Sequence, residues 1–299
     1  MKRILIPLAA LMVSSCIIDP LYIQMPETYW SYDAETSSGH VEARVIFEDD
    51  VHASVLQIVE DSGTSQSQHG TYTTDGHRVI LSGEGWSNNI QFVRTFSHLK
   101  NNSTNRNMTP IKPASHESLA GSVWVSIVNT DMHIALYDEN GKCTQATYNN
   151  VLRREGIPYG WEWRRCNYTL SGNQLSADGK SATLFDDFMV IDTLAALRAV
   201  PESKDNGTNA LKGTFWSTTL TSGSHIFPGV MVFNSSNTFV RVIAASELVY
   251  QVKSGTYTTD GESITFKLDD IEETCPLSGN RFTHYELDYV LEATPQSLP

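Results

Sequence analysis

Hydrophobic and polar residues alternate along most of the chain, and residues typical of turns interrupt the alternation at short intervals. A period of two places every second side chain on one face of an extended strand, as half-buried antiparallel strands require. In the last third of the chain the pattern predicts six strands, near Gly213–Thr219, Gly229–Phe233, Thr238–Ala245, Lys253–Tyr257, Ser263–Lys267 and His284–Glu292. The first third repeats them near Val41–Phe47, Ala53–Val59, His69–Tyr72, Val79–Leu81 and Ile90–Thr95. Helical periodicity is nearly absent, so the sequence predicts an all-β fold.

An internal repeat divides the chain into three. The heptapeptide Gly-Thr-Tyr-Thr-Thr-Asp-Gly occurs at 70–76 and again at 255–261, and a degenerate copy surrounds Tyr168. A tryptophan precedes each of the three tyrosines by 42, 44 and 41 residues, namely Trp30, Trp124 and Trp216. Such recurrence at one repeat position predicts a structural role in each core. The Asp-Gly pair that closes the heptapeptide is a hairpin signal, because glycine adopts the positive φ of a tight turn.

The repeat predicts three tandem antiparallel meander units that curl into small barrels or half-barrels. The segments between them are rich in Asn, Ser, Thr, Pro and Lys and are expected to be solvated linkers. The predicted organisation is a signal peptide at 1–15, a leash at 16–27, β repeats at 28–100, 118–199 and 210–294, and linkers at 101–117 and 200–209.

The first fifteen residues have the composition of a sorting signal. Lys2 and Arg3 precede a short apolar run, and that run ends at Val13-Ser14-Ser15-Cys16, which resembles the lipobox of bacterial lipoproteins. The resemblance implies cleavage before Cys16, acylation of its sulfur and its new amino group, and attachment to a membrane through lipid. An ordinary secretory signal cleaved nearby is the alternative. The expected location is the cell envelope, at the outer membrane, on its periplasmic or its exposed face.

The opening Gly213-Thr214-Phe215-Trp216, followed by a meander and a Gly-x-Tyr-x-x-x-Gly hairpin, is similar to lipocalin-like repeats of bacterial lipoproteins. The resemblance is one of sequence pattern, and it extends over most of the mature chain. It implies binding of small apolar molecules or a purely structural role, and it implies no reaction.

Composition favours a folded protein with little affinity for polyanions. The 299 residues are 40% hydrophobic and 10% aromatic, which suffices for packed cores. The formal charge is −13, and removal of Lys2 and Arg3 makes it more negative by two. A chain this acidic, without a basic cluster, is not expected to bind nucleic acid.

Three cysteines remain once Cys16 is lipidated. Cys143 and Cys166 lie in the same repeat beside segments that read as hairpin neighbours, so they are the predicted disulfide, and Cys275 is left over. A metal site is the alternative, but no C-x-x-C and no histidine at ligand spacing accompanies them. No metal and no cofactor is expected.

One aromatic stretch belongs to the middle repeat alone. On a strand, Tyr159, Trp161 and Trp163 lie on one face and Glu162 and Arg164 on the other. Such a face suits stacking on a sugar ring, and these three residues are the candidate ligand site. The alternative is that the rings pack against the barrel or a neighbouring repeat.

No pattern in the chain predicts catalysis. The nine histidines are dispersed, and the pairs Asp49-Asp50, Asp186-Asp187 and Asp269-Asp270 fall at unrelated repeat positions. Nucleophile-elbow and phosphate-loop motifs are absent. The sequence therefore favours a membrane-anchored protein that binds a glycan or a small apolar molecule, or serves as a scaffold. The second hypothesis is a purely structural subunit that contacts other envelope proteins, and an enzyme is the third.

Overall fold

Strands form wherever the sequence alternates, as in Thr238–Ala244, where buried and half-buried side chains succeed one another along the chain. The computed structural model describes residues 22–36, 39–60, 64–83, 89–128, 131–149, 153–154, 160–191, 194–200, 207–246, 249–294 and 297. Within these ranges the secondary structure consists of 25 strands and no α-helix. The predicted all-β fold of three antiparallel meander units is confirmed.

Each unit contains eight strands rather than the six expected. The first unit consists of β1 (Thr28–Thr36), β2 (Gly39–Phe47), β3 (His52–Val59), β4 (Thr64–Asp75), β5 (Arg78–Ser82), β6 (Ile90–Arg94), β7 (Leu99–Asn101) and β8 (Thr109–Pro110). Successive strands pair from β1 to β7, and β8 returns to pair with β1. The segment 101–117, expected to be a linker, therefore supplies the strand that closes this barrel. Beyond β8 it continues in contact with the second unit, where the Ala114 N–H donates to the Leu184 carbonyl at 2.8 Å.

The middle unit is a closed barrel. Its segment of the chain contains β9 (Val123–Val128), β10 (Asp131–Tyr137), β11 (Lys142–Tyr148), β12 (Arg153–Arg154), β13 (Trp161–Ser171), β14 (Gln174–Ala177), β15 (Lys180–Leu184), β16 (Phe188–Ile191) and β17 (Leu194–Val200). All of these except β12 pair in sequence, and β17 pairs with β9 to close the ring. The short β12 pairs instead with a strand of the third unit, opposite His225 and Ile226.

The third unit repeats the same order of strands. It consists of β18 (Phe215–Ser222), β19 (His225–Val232), β20 (Thr238–Ala244), β21 (Val249–Thr259), β22 (Ser263–Leu268), β23 (Ile271–Pro276), β24 (Arg281–His284) and β25 (Leu287–Ala293). Pairing of β25 with β18 closes the unit. The start of β21 also pairs with β4, so the first and third units share one hydrogen-bonded sheet.

Among the residues that the structure describes, four apolar clusters account for the packing. Three of them fill the interiors of the three units, around Trp30, Trp124 and Trp216 respectively. The fourth lies between the units and receives side chains from all three, such as Leu56, Val125 and Val242. Strands beside this central cluster are therefore apolar on both faces. The three barrels are fused around a common core rather than strung on linkers.

Candidate functional site

The base of each barrel is built by the same three groups. The indole N–H of Trp216 donates to the hydroxyl of Thr214 at 2.8 Å, and that hydroxyl donates to the Leu211 carbonyl at 2.6 Å. The first and second units repeat both bonds, with Trp30, Thr28 and Met25, and with Trp124, Ser122 and Leu119. All three tryptophans are buried, as the repeat predicted. Their recurrence is explained by the fold and not by binding.

The recurring tyrosines are equally structural. Tyr257 donates its hydroxyl to the Ser235 carbonyl at 2.9 Å, and its ring meets that of Phe233 edge to face at 4.7 Å. Tyr72 and Tyr168 make the equivalent bonds to the carbonyls of Asp49 and Asp138. Each tyrosine thus fastens a strand to the turn that follows the second strand of its unit.

The predicted aromatic site is only partly exposed. Trp161 and Trp163 stand on the outer face of the middle barrel, half-buried, and both pack against the central cluster. The Trp163 ring meets Phe215 of the third unit edge to face at 5.1 Å, and the Trp161 ring meets Tyr148 at 5.2 Å. These contacts favour the alternative, in which the rings pack against the barrel or a neighbouring repeat, and the ligand site at these residues stays a prediction. Tyr159 and Cys16 lie outside the described residues.

The open end of the middle barrel holds a cavity that sequence reasoning missed. Its volume is about 120 Å³, and it lies above Trp124 and Tyr137 inside the barrel. Met189 and Ile191 make part of its wall apolar. Its polar wall comes from Ser126, His133, Gln145, Thr147 and Lys180. An eight-stranded barrel has an interior just wide enough to be filled by side chains or to hold one small ligand.

His133 is the partly buried titratable group in the wall of this cavity. Its Nδ1 lies 3.4 Å from the Thr147 hydroxyl, a long contact. Burial lowers the pKa of His133; Asp131 partly opposes this, and Lys180 adds to it. The imidazole is therefore neutral at pH 7 and presents one donor and one acceptor to the cavity. An apolar enclosure with a few convergent polar groups is typical of a small-molecule site.

A larger cleft, of about 220 Å³, lies between the middle and third units. Its charged side chains are paired with one another: Arg165 contacts Asp138 at 2.6 Å and Lys212 contacts Glu139 at 3.2 Å. Because these charged groups already neutralise each other, they are less free to bind a ligand than the polar groups of the cavity. The cleft is therefore the weaker candidate site.

The structure brings Cys143 and Cys166 together directly opposite each other on β11 and β13. Both are free thiols, and the Cys166 thiol points to the Cys143 carbonyl at 3.7 Å. The Cα atoms of directly opposed residues on antiparallel strands are close enough for their side chains to form a disulfide. The disulfide between them stays a prediction, and Cys275 is buried in the third unit.

One group of side chains in the described part of the chain has the spacing of metal ligands. Asp33, His40 and Glu42 place their ligand atoms within 4.8 Å of one another on the β1–β2 hairpin. His40 is already bonded to Glu35 at 2.8 Å, and Glu42 to Arg44 at 2.8 Å. A cation would compete with both of these bonds.

No family model and no curated protein matches the chain. Among solved structures, it is similar to the DNA polymerase III subunit beta from Pseudomonas aeruginosa, at 6% identity over 89% of this chain and 92% of that chain, with a TM-score of 0.15. The H. pylori beta clamp in complex with 5-chloroisatin gives 6% identity over 89% and 91%, with a TM-score of 0.14. Scores this low carry no inference about fold or function.

Helices of the length and apolar character needed to cross a bilayer are absent from the described ranges. Any attachment through Cys16 concerns residues outside those ranges. The cavity of the middle barrel is thus the best-formed candidate site.

Proposed function

We propose that this chain is a lipid-anchored protein of the cell envelope that binds a small, partly apolar molecule in the open end of its middle barrel. The cavity above Trp124 is the observation that carries the binding proposal. The lipobox resemblance at Val13–Cys16 supports the anchor.

The size of the cavity limits the ligand. At about 120 Å³ it is comparable to an engineered cavity of about 150 Å³ that accepts benzene. Trp124, Met189 and Ile191 suit an apolar ring, while His133 and Lys180 suit a polar substituent directed toward the opening. A glycan exceeds this volume, so the proposed ligand class is a small molecule with one apolar and one polar part.

Phenol is a suitable probe, because it combines one ring with one hydroxyl. We expect saturation-transfer NMR to detect phenol bound to the purified mature protein. Ser126→Leu should reduce the signal at least fivefold, because Ser126 is buried in the cavity wall and leucine fills the space. The matched control is Ser176→Leu, which makes the same change on an exposed position of the same barrel. Equal binding by Ser126→Leu and the control would rule out this cavity.

The anchor is tested separately. Cys16→Ala should abolish incorporation of labelled fatty acid and release the protein from membranes, since two or three acyl chains supply the membrane affinity. If the variant still fractionates with membranes, the anchor is wrong.

A scaffold function is the second candidate, and the packing of Trp161 and Trp163 between two barrels favours it. A rigid body of three fused barrels can position envelope proteins without a ligand. Cross-linking of intact envelopes distinguishes the two candidates. A stoichiometric protein partner recovered equally with wild type and Ser126→Leu supports a scaffold, while its absence opposes one.

A further inference from the structure

The chain enters the first barrel at one end, where it is held tightly. The Ile23 N–H donates to the Thr95 carbonyl at 2.9 Å, and Arg94 donates to the Ile23 carbonyl at 3.2 Å. The guanidinium of Arg94 also lies over the Tyr22 ring, 5.1 Å from its centroid. Residues 22 and 23 are therefore fixed against the turn that joins β6 to β7.

That turn carries the most exposed large hydrophobic side chain of the described residues, Phe96, with 76% of its surface accessible. Val51, at 49%, lies at the same end of the barrel, in the turn between β2 and β3. Two of the four large hydrophobic side chains that the described chain exposes thus surround its point of entry. Single exposed apolar residues are ordinary, and here two of them share the end of the barrel at which the chain enters.

Hydrogen bonds attach both turns to the hairpin that joins β4 to β5. The Val51 carbonyl accepts the Tyr72 N–H at 2.7 Å, near the end of β4. The hairpin beyond β4 contains Gly76, whose carbonyl accepts the Arg94 Nε–H at 2.7 Å, two residues before Phe96. The turn that carries Phe96 is bonded to Ile23 directly, and the Val51 turn is attached to the same end through β4.

This end lies close to the proposed lipid attachment. Six peptide steps separate Cys16 from Tyr22, and a fully extended chain of that length spans at most about 20 Å. Acyl chains on Cys16 would hold this end of the barrel within that distance of the bilayer surface. Aromatic and aliphatic side chains favour the boundary between head groups and acyl chains.

We propose that the base of the first barrel rests on the bilayer, with the Phe96 turn inserted into its interfacial layer and Val51 beside it. This inference rests on the proposed lipid anchor at Cys16. Exposed charges of both signs, such as Asp50, Asp75 and Arg78, lie at the same end of the barrel. Because they give no excess of positive charge to attract anionic lipid, the proposed contact is apolar and suits a zwitterionic surface such as phosphatidylethanolamine.

Photo-cross-linking in native membranes tests the contact. The photoreactive residue p-benzoyl-phenylalanine replaces Phe96 in the full chain, and envelopes are irradiated before mass spectrometry of the protein. The matched control places the same residue at Ile271, which is 54% exposed on the third barrel. Both positions are exposed, so neither substitution threatens the fold.

We expect phospholipid adducts at position 96 in at least tenfold excess over position 271. If Cys16 carries acyl chains and position 96 gives no excess, or gives protein adducts instead, the membrane contact is wrong while the anchor stands. If mass spectrometry finds no acyl chain on Cys16, the anchor fails and this inference fails with it.

Discussion

The indole bond at the base of the third barrel leads to a prediction that can be worked out from the structure. Thr214→Val replaces the hydroxyl that accepts the Trp216 N–H with a methyl group of nearly the same volume. Thr214 is 3% exposed and Trp216 is 2% exposed, so water cannot take the place of the hydroxyl. The Leu211 carbonyl keeps a bond from the Thr214 backbone N–H at 3.0 Å. The variant thus leaves one buried donor without its partner.

An unsatisfied buried donor costs about 1–3 kcal/mol, so Thr214→Val should lower the free energy of unfolding by that amount. For a chain of this size the melting temperature falls about 2–4 °C for each kcal/mol. Urea unfolding followed by circular dichroism measures the free energy. The matched control is Thr218→Val on β18, the strand that follows Thr214, because Thr218 is buried and its hydroxyl has no hydrogen bond among the described residues. That control should be neutral or stabilising.

A double-mutant cycle separates the bond from packing. In the Trp216→Phe background there is no indole N–H, so Thr214→Val should cost much less than it does in the wild type. If Thr214→Val costs the same in both backgrounds, the bond contributes nothing and the recurring tryptophan, hydroxyl and carbonyl are a packing motif only.

Three further predictions concern Gly255, His284 and Cys166. Gly255→Ala should destabilise the third barrel by more than about 1 kcal/mol, because an added Cβ would lie 2.4 Å from the Lys267 carbonyl oxygen, and thermal unfolding measures the loss. Burial lowers the pKa of His284 to about 4, below its unfolded value of about 6.5, so stability should be complete above pH 6.5 and decline as the pH falls toward 4. His284→Leu should flatten that decline in acid-unfolding curves, and an unchanged slope would contradict the assignment. A hydrogen bond from Cys143, together with Arg164 and Lys142, lowers the pKa of Cys166. In the folded protein with its thiols reduced, iodoacetamide should therefore alkylate Cys166 before either buried thiol, and equal labelling of all three would refute this.

The repeat in the sequence predicted the three units because the same residue types are required at the same structural positions in each unit. Gly70 and Gly255 begin the heptapeptide where a Cβ would lie 2.3 and 2.4 Å from a carbonyl oxygen of the next strand. Gly76 and Gly261 end it with φ angles of 54° and 92°. Glycine is required at each of these positions for a local steric reason. The repeat can therefore be recognised in a single sequence.

The number of strands in each unit is harder to predict from the sequence. In the first unit, Glu27 has a positive φ of 56° at the position where the other units have Gly121 and Gly213, with φ of 77° and 82°. The glycine of the opening motif is therefore missing from the first unit. The strand β8 contains two residues, and most of the side chains of β23 are exposed. Strands this short or this polar are held by their neighbours rather than by their own pattern.

The cavity could not be predicted because it depends on closure of the ring. Ser126, His133 and Lys180 lie on β9, β10 and β15, and only the pairing of successive strands brings them to one interior. The aromatic stretch also depends on contacts between units. Its alternation placed Trp161 and Trp163 correctly on one face, but a single sequence does not show that a neighbouring barrel covers that face.

The central cluster explains why three units occur in one chain. Val125, Val230 and Val242 point away from the interiors of their own barrels and are fully buried, because the other units cover them. A barrel excised from the chain would expose this apolar surface to water, where such patches cause association. The three units are therefore expected to fold as one body, in which the outer wall of the middle barrel is part of the shared core.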